Sequence, residues 1–207
     1  MRKKFLSDFF FIQILNLLVK GVWILGIDRK VQNVLPAAEY GTYFSLTGLS
    51  LLFMILIDLG LTNLNNREVS IDREFNKHYF NTIAGTKFLL TIGFFILGFL
   101  VGKLLNFTPS DYKIFGLLAL NQALLSFNMF FRSNISAIHK FKLDGILSVI
   151  DRLFVVLSLI VIIWTVWTPI KLSLDVYILA QTIGLLLTFT ISWLANIKLF
   201  GKPDQPF

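Results

Sequence analysis

Cysteine is absent from the 207 residues, so the chain has no disulfide framework, no thiolate nucleophile and no cysteine-held metal. Histidine is nearly as scarce: His78 and His139 both fall in polar breaks, and no histidine-based metal cluster is expected. There is no G-x-x-x-x-G-K-[ST] phosphate loop, which excludes ATP hydrolysis by that route, and neither H-E-x-x-H nor an intramembrane Ser/His/Asp set occurs. The sequence therefore points to no enzyme, no catalytic residue, no cofactor and no metal. Proline is missing from every long apolar stretch. Pro36, Pro109 and Pro169 fall between stretches, and Pro203 and Pro206 sit in a polar tail.

What remains is apolar. Hydrophobic residues make up 56% of the chain and mean hydropathy is +0.74, well above ordinary soluble usage. Six stretches, at 8–27, 42–64, 81–102, 113–132, 145–166 and 175–197, each approach the roughly 20 residues that cross a bilayer as helix. The expected fold is all-α: six transmembrane helices in three hairpins, one domain over 1–200, then a polar tail at 201–207. The N-terminal Met1-Arg2-Lys3-Lys4 followed by an apolar run is read as an uncleaved first span, because Gln13, Asn16 and Lys20 interrupt it and no small-x-small site precedes Asp28.

The net charge of +7 belongs to topology and not to nucleic acid, since the cations are spread over several loops without interleaved aromatics. Taken alternately, one set of breaks holds Arg2, Lys3, Lys4, Arg67, Arg73, Lys77, Arg132, Lys140, Lys142, Lys198 and Lys202. The other holds only Arg29, Lys30, Lys103, Lys113 and Lys171. The positive-inside rule places both termini in the cytoplasm. Trp23, Trp164 and Trp167 are expected as interfacial anchors near outer ends.

Ionisable residues within spans are the most informative feature, because hydrocarbon tolerates them only when they face protein or water. Polar positions recur at helical spacing: Gln13, Asn16 and Lys20 in the first span, Asp58 with Thr47 and Thr62 in the second, and Asn121, Asn128 and Arg132 in the fourth. The fifth carries Asp144, Ser148 and Asp151, and the sixth Gln181, Thr188 and Ser192. Five helices are thus expected to line one polar cleft. The third span is poorer in such residues and ends in Gly98-x-x-x-Gly102, a spacing that permits close helix contact. Lys20 and Asp58 lie at different depths and are not expected to pair. Arg132 is expected to pair with Asp151 or Asp58, with Arg152 as a further partner.

Asp144-Gly145 followed by Asp151 shares part of the D-G-x-x-A-R spacing of membrane phosphatidyltransferases, but Leu147 and Ser148 occupy the Ala-Arg positions and the downstream carboxylates are missing. A different resemblance is carried by two segments. Leu35-Pro36-Ala37-Ala38-Glu39-Tyr40-Gly41-Thr42-Tyr43 resembles the L-G-P-x-E-Y-G-x-Y start of the second helix in bacterial polysaccharide (O-antigen type) flippases. Asp58-Leu59-Gly60-Leu61-Thr62-Asn63 resembles the D-x-G-L stretch ending that helix.

The similarity spans essentially the whole chain but only one lobe, the N-terminal one, of a two-lobe exporter in the superfamily of multidrug, oligosaccharidyl-lipid and polysaccharide exporters. It implies transport of an undecaprenyl-diphosphate-linked oligosaccharide across the cytoplasmic membrane, by a partial flippase that works with a second six-helix lobe or chain. On that resemblance Lys20 and then Arg132 contact the diphosphate, Gln13, Asn16, Asn121, Asn128 and Gln181 meet sugar hydroxyls, and Asp58, Asp151 and Arg152 form a gate or ion-coupling group. The rival readings are a non-transporting membrane scaffold, a small-molecule exporter lobe and, last, an intramembrane transferase.

Overall fold

A chain that lies in hydrocarbon must satisfy its own backbone hydrogen bonds, which leaves helix as the economical solution for each apolar stretch. A computed structural model of the chain describes the backbone of residues 2–164 and 172–203 and their side chains except at 2–9, 11, 163 and 164, and among the described residues helix is the only regular structure. A first helical run begins with α1 (Arg2–Gly21), passes through a π segment (Val22–Asp28) and ends in α2 (Arg29–Val34). Then follow α3 (Ala37–Asp58), α4 (Leu61–Ile71), α5 (Glu74–Leu104), α6 (Pro109–Ala137), α7 (Phe141–Leu147), α8 (Ile150–Trp164) and α9 (Leu174–Phe200). Five helices are long and apolar enough to cross a membrane: 37–58, 74–104, 109–137, the α7–α8 unit over 141–162, and 174–200.

Local chemistry explains most boundaries. Thr108 caps α6 in a reciprocal capping box with Asp111, and Pro109 follows at the first helical position, where its missing amide is harmless. Ser173 caps α9 by accepting from the Val176 amide at 3.3 Å. The stretch expected as a single span over 42–64 is broken: α3 stops at Asp58, Leu59 and Gly60 take positive φ of 44° and 85°, and α4 starts at Leu61. Gly60 accepts the left-handed conformation freely, whereas Leu59 adopts it at a cost. The stretch expected over 145–166 likewise contains a turn at Ser148–Val149, where the Ser148 hydroxyl donates to the Gly145 carbonyl at 2.6 Å. Residues 165–171, including Trp167 and Lys171, and 204–207 of the tail lie outside the described residues.

The helices alternate between two ends. Arg73, just before α5, donates to the Leu199 carbonyl near the end of α9 at 2.5 Å, which marks the end shared with the N-terminus. Lys113 and Asp175 pair at 2.7 Å across the opposite, far end. Helix α6 is central and meets α3, α4, α5, α7 and α9. Gly98 and Gly102 let α5 approach the start of α6: a methyl on Gly102 would sit 2.7 Å from the Phe107 ring, and one on Gly98 would overlap Phe115. The first hairpin does not close along its length. Helix α1 packs on α7 and α8, whereas α3 packs on α5 and α6. The two meet at the far end, where the Tyr40 hydroxyl donates to Asp28 at 3.3 Å.

Candidate functional site

The break after α3 organises the most unusual chemistry in the molecule. Lys87, halfway along α5, is fully buried and its ammonium donates to the Asp58 carboxylate. Thr62, in the first turn of α4, also donates to Asp58, and its oxygen lies 3.3 Å from the Lys87 ammonium. Because the chain reverses its backbone sense at Leu59–Gly60, the last residue of α3 and the first turn of α4 reach the same ammonium. The pair is asymmetric, since the Asp58 side chain keeps 28% of its surface while Lys87 keeps none. Burying both charges is costly, and the attraction repays it only with additional hydrogen bonds of the kind Thr62 supplies.

Asp58 opens onto a shallow cavity of about 270 Å³ shared with Met54, Asn63, Ser126 and Met129. Met129 also lines a second cavity of about 180 Å³ with Thr62, Arg132, Ser136 and Asp144. The two cavities lie on either side of Met129; the one at Asp58 is lined mainly by carbon, and the one at Arg132 is the more polar. Arg132 donates to Asp144 at 2.7 Å, and both side chains stay about one quarter exposed. The expected pairing of Arg132 with Asp151 or Asp58 is thus replaced: Asp144, at the start of α7, is nearer, and Asp58 is already held by Lys87.

Asp151 lies elsewhere. It is 8% exposed, sits 3.4 Å from the guanidinium of its neighbour Arg152, and its backbone carbonyl faces Gly184 of α9. Arg152 stacks over the Trp23 indole, 4.1 Å from the ring centroid, so Trp23 meets a guanidinium where an interfacial anchor was expected. The Trp164 side chain is not among those described.

The other anticipated residues separate into two groups. Lys20 and Gln13 are exposed on α1 and make no hydrogen bond or ion pair among the described residues, and Lys20 does not pair with Asp58. Asn16 is spent on α1–α7 contact, donating to the Ser148 hydroxyl at 3.1 Å. Asn121 accepts from Thr182 at 2.7 Å, Asn128 donates to the Leu185 carbonyl at 3.1 Å, and Gln181 donates to the Tyr43 hydroxyl at 3.1 Å. These three amides are buried between helices and do not share a water-filled face with Lys20. Interhelical hydrogen bonding, the common use of polar residues in membrane bundles, accounts for them.

Three further clusters escaped the sequence reading. At the far end Asp28 accepts from the fully buried Tyr177 at 2.8 Å, and the Tyr177 ring meets Tyr43 edge-on at 5.6 Å. At the terminal end a chain of amides crosses three helices: Asn65 donates to Asn134 at 2.5 Å, Asn134 to Asn196 at 2.9 Å, and Asn196 to the Phe131 carbonyl at 2.9 Å. Lys87 is the third. Its only sequence signal is a lysine midway along an otherwise apolar run. Among the described residues no group of acidic and histidine side chains is arranged to hold a metal. No family model, curated protein or solved structure matches this chain.

Proposed function

We propose that this chain is one lobe of an exporter that carries an undecaprenyl-diphosphate-linked oligosaccharide across the cytoplasmic membrane for surface polysaccharide synthesis. The observation that carries the reading is the Asp58–Lys87–Thr62 cluster. Asp58 and Thr62 belong to the D-x-G-L segment, one of the two that carry the resemblance to flippases, and ionisable groups at membrane depth mark transport pathways more often than they serve as mere struts. In this reading the helical run over 2–34 is the sixth span, both termini are cytoplasmic, and a second lobe or chain closes the cavity on the side where α1 and α3 part.

The substrate diphosphate needs fixed cations, because an unpaired anion in hydrocarbon is prohibitive. Lys20, exposed and unpaired, is the first contact, and Gln13 on the same stripe meets sugar hydroxyls. Arg132 is the second cation and becomes available when Asp144 releases it, which makes the Arg132–Asp144 pair the gate. Asp58 with Lys87 is the coupling group, where a proton or cation can exchange with the ammonium for the carboxylate. Asp151 and Arg152 fix α8 against the π segment and α9, and Asn16, Asn121, Asn128 and Gln181 hold the bundle together. The lipid tail stays in the bilayer, and no catalysis is assigned.

The test is export in cells. Lys20→Ala is expected to abolish surface polysaccharide at unchanged membrane protein level, with Lys20→Arg retaining it. Full export by Lys20→Ala removes the lysine from the mechanism, and full export by Lys20→Ala, Arg132→Gln and Lys87→Met alike favours a non-transporting scaffold.

A further inference from the structure

The seam between α3 and α6 carries buried polar atoms that no other protein group satisfies among the described residues. On α3, Tyr43, Thr47, Ser50, Met54 and Asp58 follow one another at four- and three-residue steps, a single stripe from near the far end to the break. On α6, Gln122 and Ser126 lie one turn apart on one face, and Ser126 lines the Asp58 cavity together with Met54. Gln122 is 8% exposed and Ser126 1%. The two stripes thus meet along the helix contact and pass through the middle of the span, since Thr47 to Asp58 is eleven residues, about 16 Å.

Three oxygens in this seam, Thr47 Oγ1, Gln122 Oε1 and Ser126 Oγ, are shut off from solvent without a hydrogen-bond partner. An orphaned buried acceptor is unfavourable, so the seam is not stable dry. Asp58 adds a fourth acceptor, because Lys87 and Thr62 both donate to Oδ1 and leave Oδ2 to the cavity of about 270 Å³. One water bridges two such oxygens when they stand about 5–6 Å apart, the separation of neighbours one helical turn apart. Water, and not a metal ion, is the occupant the charges select: Lys87 already neutralises Asp58, and the other three groups are uncharged. The upper end is continuous with the far-end cluster. There the Tyr43 hydroxyl accepts from Gln181 at 3.1 Å, and its ring meets Tyr177, which donates to Asp28 at 2.8 Å.

We infer that the α3–α6 seam holds a file of bound waters from Tyr43 to Asp58 and that this file carries protons through the lobe. The inference rests on the coupling role given to Asp58 and names its ion. A proton entering at the Tyr43 end is handed along the file, each oxygen gaining one proton and releasing another, with the Thr47 and Ser126 hydroxyls as links and Gln122 anchoring a water. It arrives on Asp58 Oδ2, where the carboxylate becomes a neutral acid while Lys87 keeps its ammonium. Release of one proton from Asp58 into the cavity restores the carboxylate, and nothing else changes. The groups around Asp58 limit the rate: Lys87 of α5 opposes protonation, α4 brings only the uncharged Thr62 and Asn63, and Arg132 of α6, beyond Met129, is held by Asp144 of α7.

The experiment uses the full chain in liposomes loaded with a pH-sensitive dye, with a potassium gradient and valinomycin setting the membrane potential. Without any oligosaccharide, proton flux about tenfold above that of protein-free liposomes is expected, and flux no higher than theirs overturns the inference. Thr47→Val and Gln122→Leu remove water-binding oxygens at nearly constant volume, and each is expected to cut the flux about tenfold. Thr47→Ser keeps the hydroxyl and is expected to retain the flux. Thr188→Val is the control for loosened packing, since that buried hydroxyl lies on α9, off the seam, and donates within its own helix; its flux is expected to equal that of the unaltered chain. Unchanged flux in both Thr47→Val and Gln122→Leu, or an equal loss in Thr188→Val, overturns the path. If Gln122→Leu does not fold, the comparison of Thr47→Ser with Thr47→Val decides alone. Because no oligosaccharide is present, failure here leaves the export test of Lys20→Ala untouched, and failure of that test leaves the flux standing.

Discussion

Replacing Lys87 by Met and Asp58 by Asn, singly and together, tests whether the buried pair is organised as its geometry implies. Met keeps the volume and apolar stem of Lys87, so the ammonium is the group removed. The Asp58 carboxylate then retains the Thr62 hydroxyl and can draw water through its exposed 28%. That variant is expected to lose only about 1.5–3 kcal/mol, the scale of one hydrogen bond to a charged group.

Asp58→Asn is the harsher change. The ammonium it leaves without a counter-charge has no exposed surface and keeps only neutral acceptors, the introduced amide oxygen and the Thr62 oxygen at 3.3 Å, so a loss of about 3–5 kcal/mol is expected, as when one member of a buried pair is removed. The double variant has no stranded charge and is expected to be more stable than Asp58→Asn alone, a coupling of about 2 kcal/mol or more in a double-mutant cycle. Reversible unfolding in mixed detergent supplies the four stabilities. If the single substitutions cost the same, or if their costs simply add, Lys87 and Asp58 are not the asymmetric buried pair described above.

Other expectations concern packing and topology. Gly184→Ala places a methyl 2.8 Å from the Asp151 carbonyl oxygen, a backbone atom that cannot swing aside, so α8 and α9 must separate. A loss of about 1–3 kcal/mol is expected in thermal melting, and an unchanged melting temperature would show that the crossing is looser. Asn134→Leu removes the middle of the amide chain and breaks its bonds to Asn65 and Asn196. At roughly 0.6–1.7 kcal/mol for each bond between helices in a membrane, the loss is about 1–3 kcal/mol, measurable by the same unfolding assay. Because the chain has no cysteine of its own, Lys202→Cys and Lys113→Cys give two single labelling sites. In intact cells an impermeant maleimide is expected to reach position 113 and not 202, and the reverse pattern would invert the proposed orientation.

The all-helical, multi-pass class was legible because bilayer thickness imposes a length on each apolar span. Boundaries were less so: the stretch expected over 42–64 runs through the break at Gly60, and that expected over 113–132 begins inside α6, past its Thr108 cap. What the break carries was not legible. On its helix face Lys87 is joined by Ile83, Ala84 and Leu90, with Thr91 as the one polar residue within a turn, and its acid lies 29 residues earlier in the chain. The stripe of Asn121 and Asn128 was real as periodicity but ambiguous as chemistry. A polar face in a membrane helix has the same spacing whether it meets water or the backbone of another helix, and here it meets Thr182 and Leu185 of α9. The π segment has no sequence mark beyond Gly21 and Gly26, and it changes the angular position of everything beyond Asp28.

The Lys87 ammonium also bears on how the protein is made. A lysine near the centre of a helix adds about 3 kcal/mol to the free energy of leaving the translocation channel for lipid, and α5 carries one halfway along its 31 residues. Its neutralising carboxylate is synthesised earlier, at the close of α3. The nascent α5 therefore partitions most favourably while α3 and α4 still stand beside the channel, so the three segments enter the bilayer as a cooperative unit rather than one by one.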